Sequence, residues 1–308
     1  MKFVVLGTTS ITLAMASGIL DSGYDVSLMV GLENDLLPDN SVAIDDYCSS
    51  MDLKYIACRQ IDQNDTLRKI EQTQPDIILS SWPHFIPNEV LKIPKLGAVG
   101  SHPTPLPYGR GRHPIHWSIV MGIDRLDMCF FWMDNGFDTG NILMRVPFEV
   151  GSLHIDQVMK NLEDATYNGV KRLCNDARKQ RLGCGENQKI GGTVWPKRTL
   201  DDVVLDPRLT AKMIISIVRS FSEPYGCALL YVSCGKALKI KNAIALKRSQ
   251  RPANWSYQAH GYVFDYTENT ITIRVADAVV VLSFDCHKFF DDPPFHIRPP
   301  SYYIRCSV

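Results

Sequence analysis

A histidine set among prolines and two aspartates set among glycines are the residues of this chain best suited to chemistry. In Gly100-Ser-His-Pro-Thr-Pro-Leu-Pro107, His102 shares a short run with three prolines. Each proline fixes its own φ and pushes the residue before it toward extended geometry, so this stretch is a stiff rim that no regular helix contains. A rigidly held imidazole can serve as general acid, general base or oxyanion donor near neutral pH. The plainer alternative is a loop histidine bonded to backbone. Further along, Asp134-Asn-Gly-Phe-Asp-Thr-Gly140 offers two carboxylates on a glycine-punctuated turn. Either Asp138 or Asp134 can orient the ring, although aspartate in such a turn is by default a turn former.

Three further stretches have the composition of ligand contacts. Gly109-Arg-Gly-Arg112 is cationic and backbone-permissive, suited to phosphate or carboxylate through Arg110 and Arg112, or else simply a solvated turn. Gly7-Thr-Thr-Ser10 falls where a first strand meets a helix N-terminus, which favours anions near Thr9 and Ser10, but it lacks the dinucleotide glycine pattern. Trp82-Pro-His-Phe-Ile-Pro87 follows a buried strand and would suit a flat heteroaromatic ligand, or would pack on its own domain. His84, His113 and His116 form no recognisable metal set with the acids and cysteines, so no metal is expected.

The elements that must position these residues are legible in the apolar pattern. The first half alternates short apolar runs with amphipathic stretches, as in βα units around a parallel sheet. Strands are predicted at Lys2–Leu6, Tyr24–Val30, Tyr55–Cys58, Asp76–Ser80, Ala98–Ser101, Phe130–Met133 and Ile142–Val146. Helices are predicted at Ser10–Ser22, Ser41–Met51, Asn64–Thr73 and Ile155–Lys179, the last with Val158, Met159, Leu162 and Ala165 on one face. Leu182–Gly192 then reads as a glycine-rich linker. Beyond it a helix, Asp206–Phe221, precedes short strands at Ala228–Val232, Ala237–Ile240, Gly261–Phe264, Thr270–Val275 and Val279–Phe284. The expected architecture is a Rossmann-like, mostly parallel sheet with helices on both faces, followed by a smaller β-rich, OB-like barrel domain. The domain limits are set at 1–190 and 191–308.

Composition bounds the function classes. In 308 residues, 33 Lys and Arg balance 33 Asp and Glu, so the net charge gives no reason to expect nucleic acid or an anionic membrane as partner. The nine cysteines show no close pairing at metal-ligand spacing and no disulfide framework, pointing to reduced thiols and a cytoplasmic setting. Lys2-Phe-Val-Val-Leu6 followed by Leu13-Ala-Met-Ala-Ser17 mimics an export signal, but Gly7–Ser10 interrupts the apolar run, so export is not expected. No apolar run reaches the eighteen or so residues of a spanning helix.

Taken in order, the pieces resemble the formyltransferase family that uses 10-formyltetrahydrofolate. The resemblance runs through Pro75-Asp-Ile-Ile-Leu79, Ile86-Pro87, Gly97–Pro107, Arg110-Gly111, Pro114, Gly122, Met133-Asp134 and Asp138-Thr-Gly140. It resumes at Trp195–Asp202, at Arg219 and at Pro224–Ala228. It implies transfer of a formyl group from the folate to an amine, with His102 and Asp138 at the positions of the catalytic pair. In that scheme His102 stabilises the developing oxyanion, and Asp138 orients it and helps remove the amine proton. The implied folate side is Trp82, Phe85, Ile86, Asp134, Gly136 and Phe137. Two departures stand out. The family's Asn-x-His reads Gly100-Ser-His102 here, and its usual Gly-Val-Thr strand reads Asp127-Met-Cys129. Loss of one oxyanion donor costs about 3 kcal/mol of transition-state stabilisation in another enzyme. Ser101 or Thr104 can substitute, a backbone amide or water can do so, or the chain binds its ligands without turnover; substitution is the favoured reading.

Two acceptors fit the resemblance. Arg112-His-Pro-Ile-His-Trp-Ser-Ile119 looks more like the branch that formylates nucleotide-linked amino sugars, for which Thr9, Ser10, Arg110 and Arg112 are the candidate contacts. The alternative is the aminoacyl end of tRNA, favoured by the basic residues Lys239, Lys241, Lys247, Arg248 and Arg251. Alternating Lys and Ile also fits an exposed strand face. A homodimer is compatible with either reading.

Overall fold

The computed structural model describes residues 1–188, 191–222, 225–232, 237–285 and 297. Lys189 and Ile190 of the glycine-rich segment, and Pro224 of the segment 224–228, lie outside the described residues. The chain divides into two compact units. The first comprises Met1–Pro114, Arg125–Val150 and Gln157–Pro196; the second comprises Ile115–Asp124, Gly151–Asp156 and the chain from Lys197 on.

The first unit is built on one mixed sheet. Strands β1 (Lys2–Leu6), β2 (Asp25–Leu32), β3 (Tyr55–Cys58), β4 (Ile77–Ser80) and β5 (Gly97–His102) pair in parallel. After a two-residue strand β6 (Arg110–Gly111), strands β7 (Arg125–Trp132) and β8 (Ile142–Glu149) add antiparallel, giving the order β3-β2-β1-β4-β5-β7-β8. Phe3 to Leu6 and Ile77 to Leu79 are fully buried. Continuous apolar runs without alternation mark strands covered on both faces, which is why these central strands were readable.

Helices α1 (Ser10–Asp21), α2 (Ile44–Ser50), α3 (Asn64–Thr73) and α4 (Asn88–Leu91) fill the parallel crossovers. Helix α5 (Pro114–Met121) falls almost wholly in the second unit, and α6 (Ile155–Arg178) follows β8. Within α6, Val158, Leu162, Ala165 and Leu173 are buried at helical spacing. Gly169 lets α6 approach the sheet, because a Cβ there would collide with the Phe130 ring.

In the second unit α7 (Ala211–Ser220) precedes strands β10 (Ala228–Tyr231), β11 (Ala237–Ala245), β12 (Val263–Tyr266), β13 (Thr270–Arg274) and β14 (Val279–Phe284). These strands form an antiparallel sheet in the order β10-β11-β14-β13-β12. Ile214, Ile217 and Val218 of α7 join Leu238, Ile240, Ile271 and Leu282 in its core. The helix expected from Asp206 begins five residues later. The Asp206 carboxylate bonds the Arg208 amide at 2.8 Å in a local turn, and Thr210 caps the helix by accepting from the Met213 amide at 3.3 Å.

Thiol chemistry follows from this packing. Cys48, Cys58, Cys129 and Cys174 are buried, and burial pushes each thiol up to about 11, whereas Cys184 is exposed. The thiolate is the reactive form. Iodoacetamide at pH 8 is therefore expected to label Cys184 in the folded protein and to leave those four untouched until denaturant is added. Peptide mass mapping reads the pattern, and labelling of the four at the rate of Cys184 would contradict it. No helix among the described residues is long and apolar enough to cross a membrane.

Candidate active site

The strand order reverses at β1, with β2 and β3 on one side and β4 and β5 on the other. In open α/β sheets the crevice outside the carboxyl ends at such a reversal is where ligands bind. The loops after β1 and β4 meet there, and they are tightly packed. A Cβ on Gly7 would collide with the Thr12 and Ser81 hydroxyls, which bond each other at 2.8 Å.

His102 ends β5 and is 6% exposed. Its Nε2 lies 2.8 Å from the Gly109 carbonyl oxygen, and its Nδ1 lies 3.5 Å from Asp138 Oδ2. Both ring nitrogens thus face oxygen acceptors, and a neutral imidazole carries one N–H to divide between them. Asp138 Oδ2 also accepts the Gly111 amide at 3.1 Å. Asp138 itself adopts φ 56°, a left-handed conformation that non-glycine residues rarely take and that clusters at functional turns. Asp134 has the other role open to a carboxylate in this turn. Its Oδ1 accepts the Gly136 amide at 2.9 Å and the Thr139 hydroxyl at 2.6 Å, so it builds the turn that carries Asp138.

The rim beyond His102 is held from an unexpected direction. The Gly109 amide donates to Thr193 Oγ1 at 2.8 Å, the Arg110 amide to the Thr193 carbonyl at 3.0 Å, and β6 pairs in parallel with β9 (Val194–Trp195). A Cβ on Gly111, at φ 100°, would lie 2.5 Å from the Trp195 carbonyl oxygen. On the sheet side, Ile142 and Glu186 exchange both backbone hydrogen bonds at 2.8 Å. The linker expected at Leu182–Gly192 is thus tied to the sheet through Glu186, and Thr193, Val194 and Trp195 just beyond it hold the rim. Gln188, within that linker, is buried and bonds Asp138, Gly140 and Arg110. Neither Gln188 nor Thr193 was foreseen, because glycines on both sides give the segment the signature of a loop and no local pattern marks their partners.

The other candidates fall into distinct settings. The rings of Phe85 and Phe137 come together at 5.3 Å between centroids and remain 45% and 68% exposed. Trp82 and Ile86 pack instead on the apolar cluster formed with Val4, Leu6 and Ile78, while Gly136 is exposed in the turn. Thr9 and Ser10 are half-buried at the start of α1, and Arg112 is exposed. Arg110 is engaged within the site: its Nε donates to the Asp138 carbonyl at 3.1 Å and its Nη2 to Gln188 Oε1 at 2.6 Å. The Ser101 hydroxyl bonds the Ser80 carbonyl at 3.2 Å. Thr104 is fully buried, and its hydroxyl has no hydrogen-bond partner among the described residues. Gly100 is covered by the ring of Phe131, its cross-strand partner, such that a Cβ would lie 2.7 Å from Phe131 Cζ and 3.1 Å from Met133 Cγ.

A separate cleft of about 700 Å³ is lined by Leu96, Trp132, Asp134, Asn141, Gln180 and Cys184; neither His102 nor Asp138 lines it. No group of three or more His, Cys, Asp or Glu side chains able to hold a metal occurs among the described residues. The chemistry available is that of an imidazole–carboxylate pair, on a turn that also carries one of two exposed, mutually contacting aromatic rings.

Known proteins share this arrangement of elements. A methionyl-tRNA formyltransferase of Caldanaerobacter subterraneus subsp. tengcongensis is 26% identical over 258 residues, covering 79% of this chain and 80% of the relative. The crystal structure of WlaRD, a sugar 3N-formyl transferase in the presence of dTDP and 5-N-formyl-THF, shares the fold with a TM-score of 0.65 at 17% identity, covering 92% of this chain and 98% of that one. The N-formyltransferase from Helicobacter canadensis, in complex with folinic acid and dTDP-3-aminofucose, does so with a TM-score of 0.64 at 13% identity, covering 92% and 99%. Residues 1–172, from β1 into α6, match the family model of the formyl transferases, and the chain belongs to that family of formyl-transferring enzymes.

Proposed function

We propose that this enzyme moves a formyl group from 10-formyltetrahydrofolate to the amine of a nucleotide-linked amino sugar, with His102 and Asp138 as the reacting pair. The observation that carries the reading is that pair's approach, Nδ1 to Oδ2 at 3.5 Å, from a turn in which Phe137 precedes Asp138 and meets Phe85 as an exposed ring pair. Two solvent-facing aromatic rings from separate loops fit a flat heteroaromatic such as a pterin. The folate donor supplies the activated formyl group. The N–H on His102 Nε2, now given to the Gly109 carbonyl at 2.8 Å, is the donor offered to the formyl oxygen as the amine adds and charge develops there. Asp138, facing Nδ1, takes the amine proton directly or through water, and the donor nitrogen gains that proton as its bond to the formyl carbon breaks and tetrahydrofolate leaves. A separation of 3.5 Å is long for a hydrogen bond, and such contacts tighten when substrate is bound.

For the acceptor, the sugar reading draws support from the neutral charge balance and from the two sugar formyltransferases that share the fold. The tRNA reading draws on the methionyl-tRNA formyltransferase relative and on the basic residues of the second unit. Two of those basic residues have structural employment. Arg251 stacks on Trp255 and donates to the carbonyls of Leu246 and Asp277, and Lys241 pairs with Asp285. Lys239 and Lys241 alternate with the buried Leu238 and Ile240 on β11, as a solvated strand face requires.

The test is a mass-spectrometric assay of the purified protein with 10-formyltetrahydrofolate, against a panel of nucleotide-linked amino sugars and charged initiator tRNA. A formyl mass gain on an amino-sugar nucleotide is the expected result. A gain confined to the tRNA would replace the proposed acceptor with the alternative.

A further inference from the structure

We propose that Gln188 is a positioning residue that sets the approach of Asp138 to His102; the inference rests on the reading of those two residues as the reacting pair. Gln188 is 8% exposed. Its Nε2 donates to the carbonyls of Asp138 and Gly140, each at 2.8 Å, and its Oε1 accepts from Arg110 Nη2 at 2.6 Å and Nε at 3.2 Å. A primary amide has two N–H donors and two acceptor lone pairs, and all four are used.

The three residues it touches are those that fix the pair. Asp138 and Gly140 both lie in the turn that holds Asp138 at φ 56°, a left-handed conformation that few residues besides glycine, asparagine and aspartate adopt. Asp134 secures this turn from within, through Gly136 and Thr139, and Gln188 secures it from outside. Gly140 cannot carry a side chain, because a Cβ there would collide with the Trp132 carbonyl. Arg110 in turn lies between the two backbone groups that bind the pair: Gly109, whose carbonyl faces His102 Nε2, and Gly111, whose amide bonds Asp138 Oδ2. One buried amide therefore joins the strand touching both side chains to the turn carrying one of them. Such a network holds its geometry only while every member is satisfied.

The test compares Gln188→Met, which keeps the volume and loses every hydrogen bond, with Gln188→Glu, which keeps an acceptor for Arg110 and loses both donors to the turn. Both variants are expected to lose kcat on the order of 10- to 100-fold, the size of effect that a misplacement near 1 Å produces, with KM for donor and amine essentially unchanged. The His102 ring ¹H–¹⁵N signals are expected to move toward those of Asp138→Asn in both variants, with melting temperatures recorded alongside. Parent kcat and parent ring signals in either variant overturn the proposal, as does a drop in melting temperature with both readouts intact. If Asp138→Asn keeps parent kcat, the reacting-pair reading fails on its own, while the ring signals still report whether Gln188 positions the turn.

Discussion

Asp138→Asn is expected to lower formyl transfer by at least ~100-fold in a protein that still folds, the loss that follows removal of a positioned acid or base. Asparagine is the informative replacement because it tolerates the left-handed backbone that Asp138 adopts at φ 56°. Its side-chain oxygen can still accept the Gly111 amide, now 3.1 Å from Oδ2. What disappears is the negative charge facing His102 Nδ1 and the capacity to take a proton. His102→Ala should cost at least as much activity by the same standard, roughly 100-fold or more. That change also strips the Gly109 carbonyl of its partner and hollows a nearly enclosed site, so its melting temperature should fall as well. Single-turnover formylation followed by mass, normalised to folded protein, separates the two contributions. Parent-level rates in both variants would remove His102 and Asp138 from the chemistry.

The legible part of this protein is the part written in local pattern. Strand Lys2–Leu6, strand Tyr55–Cys58 and helix Asn64–Thr73 fall where the sequence places them, because an unbroken apolar run or a helical period needs no distant partner to be recognised. Both halves of the candidate site were legible for the same reason: proline, glycine, histidine and aspartate announce stiff loops and turns. The choice between Asp134 and Asp138 was legible only through the family resemblance and not from the turn's own pattern, since it depends on which carboxylate reaches His102. Arg110 shows the same limit. Between two glycines it reads as a cation offered to phosphate, yet Gly111 serves the contact with Trp195, and the guanidinium faces Asp138 and Gln188. Glycines at 183, 185, 191 and 192 signal freedom to a local reading, and here two of them serve close packing instead, Gly185 against Asn141 and Gly192 against Pro107.

The two departures from the family pattern, far apart in sequence, become neighbours in the sheet. Antiparallel pairing of β5 with β7 sets Gly100 opposite Phe131 and His102 opposite Cys129. Residues two apart share a strand face, so Gly100, His102, Cys129 and Phe131 form one patch, and Phe131, Cys129, Leu106 and Ile142 form its buried apolar cluster. The polar residues expected at 100 and 129 are thus replaced together by an aromatic ring over a glycine and by a thiol that burial keeps protonated, pushed up to about 11.

Gly100→Asn, which writes the family residue back into the chain, is accordingly expected to harm the enzyme. Its Cβ would enter within 2.7 Å of Phe131 Cζ and 2.9 Å of Cε2, and the ring is only 3% exposed, with little room to swing away. Overpacking of this kind costs about 1–3 kcal/mol, enough to lower the denaturation midpoint visibly, and a displaced β5 carries His102 with it. Turnover should fall despite the added amide donor. Combining Gly100→Asn with Phe131→Leu removes the obstructing ring edge and leaves the new amide on the face of His102. Stability should then recover in part, and turnover should exceed that of either single variant, since one well-placed oxyanion donor is worth roughly 100-fold in rate. The comparison needs only urea denaturation and formylation rates for four proteins. A single variant as stable as the parent would show that the Phe131 ring yields freely, and the account of why glycine occupies this position would fall with it.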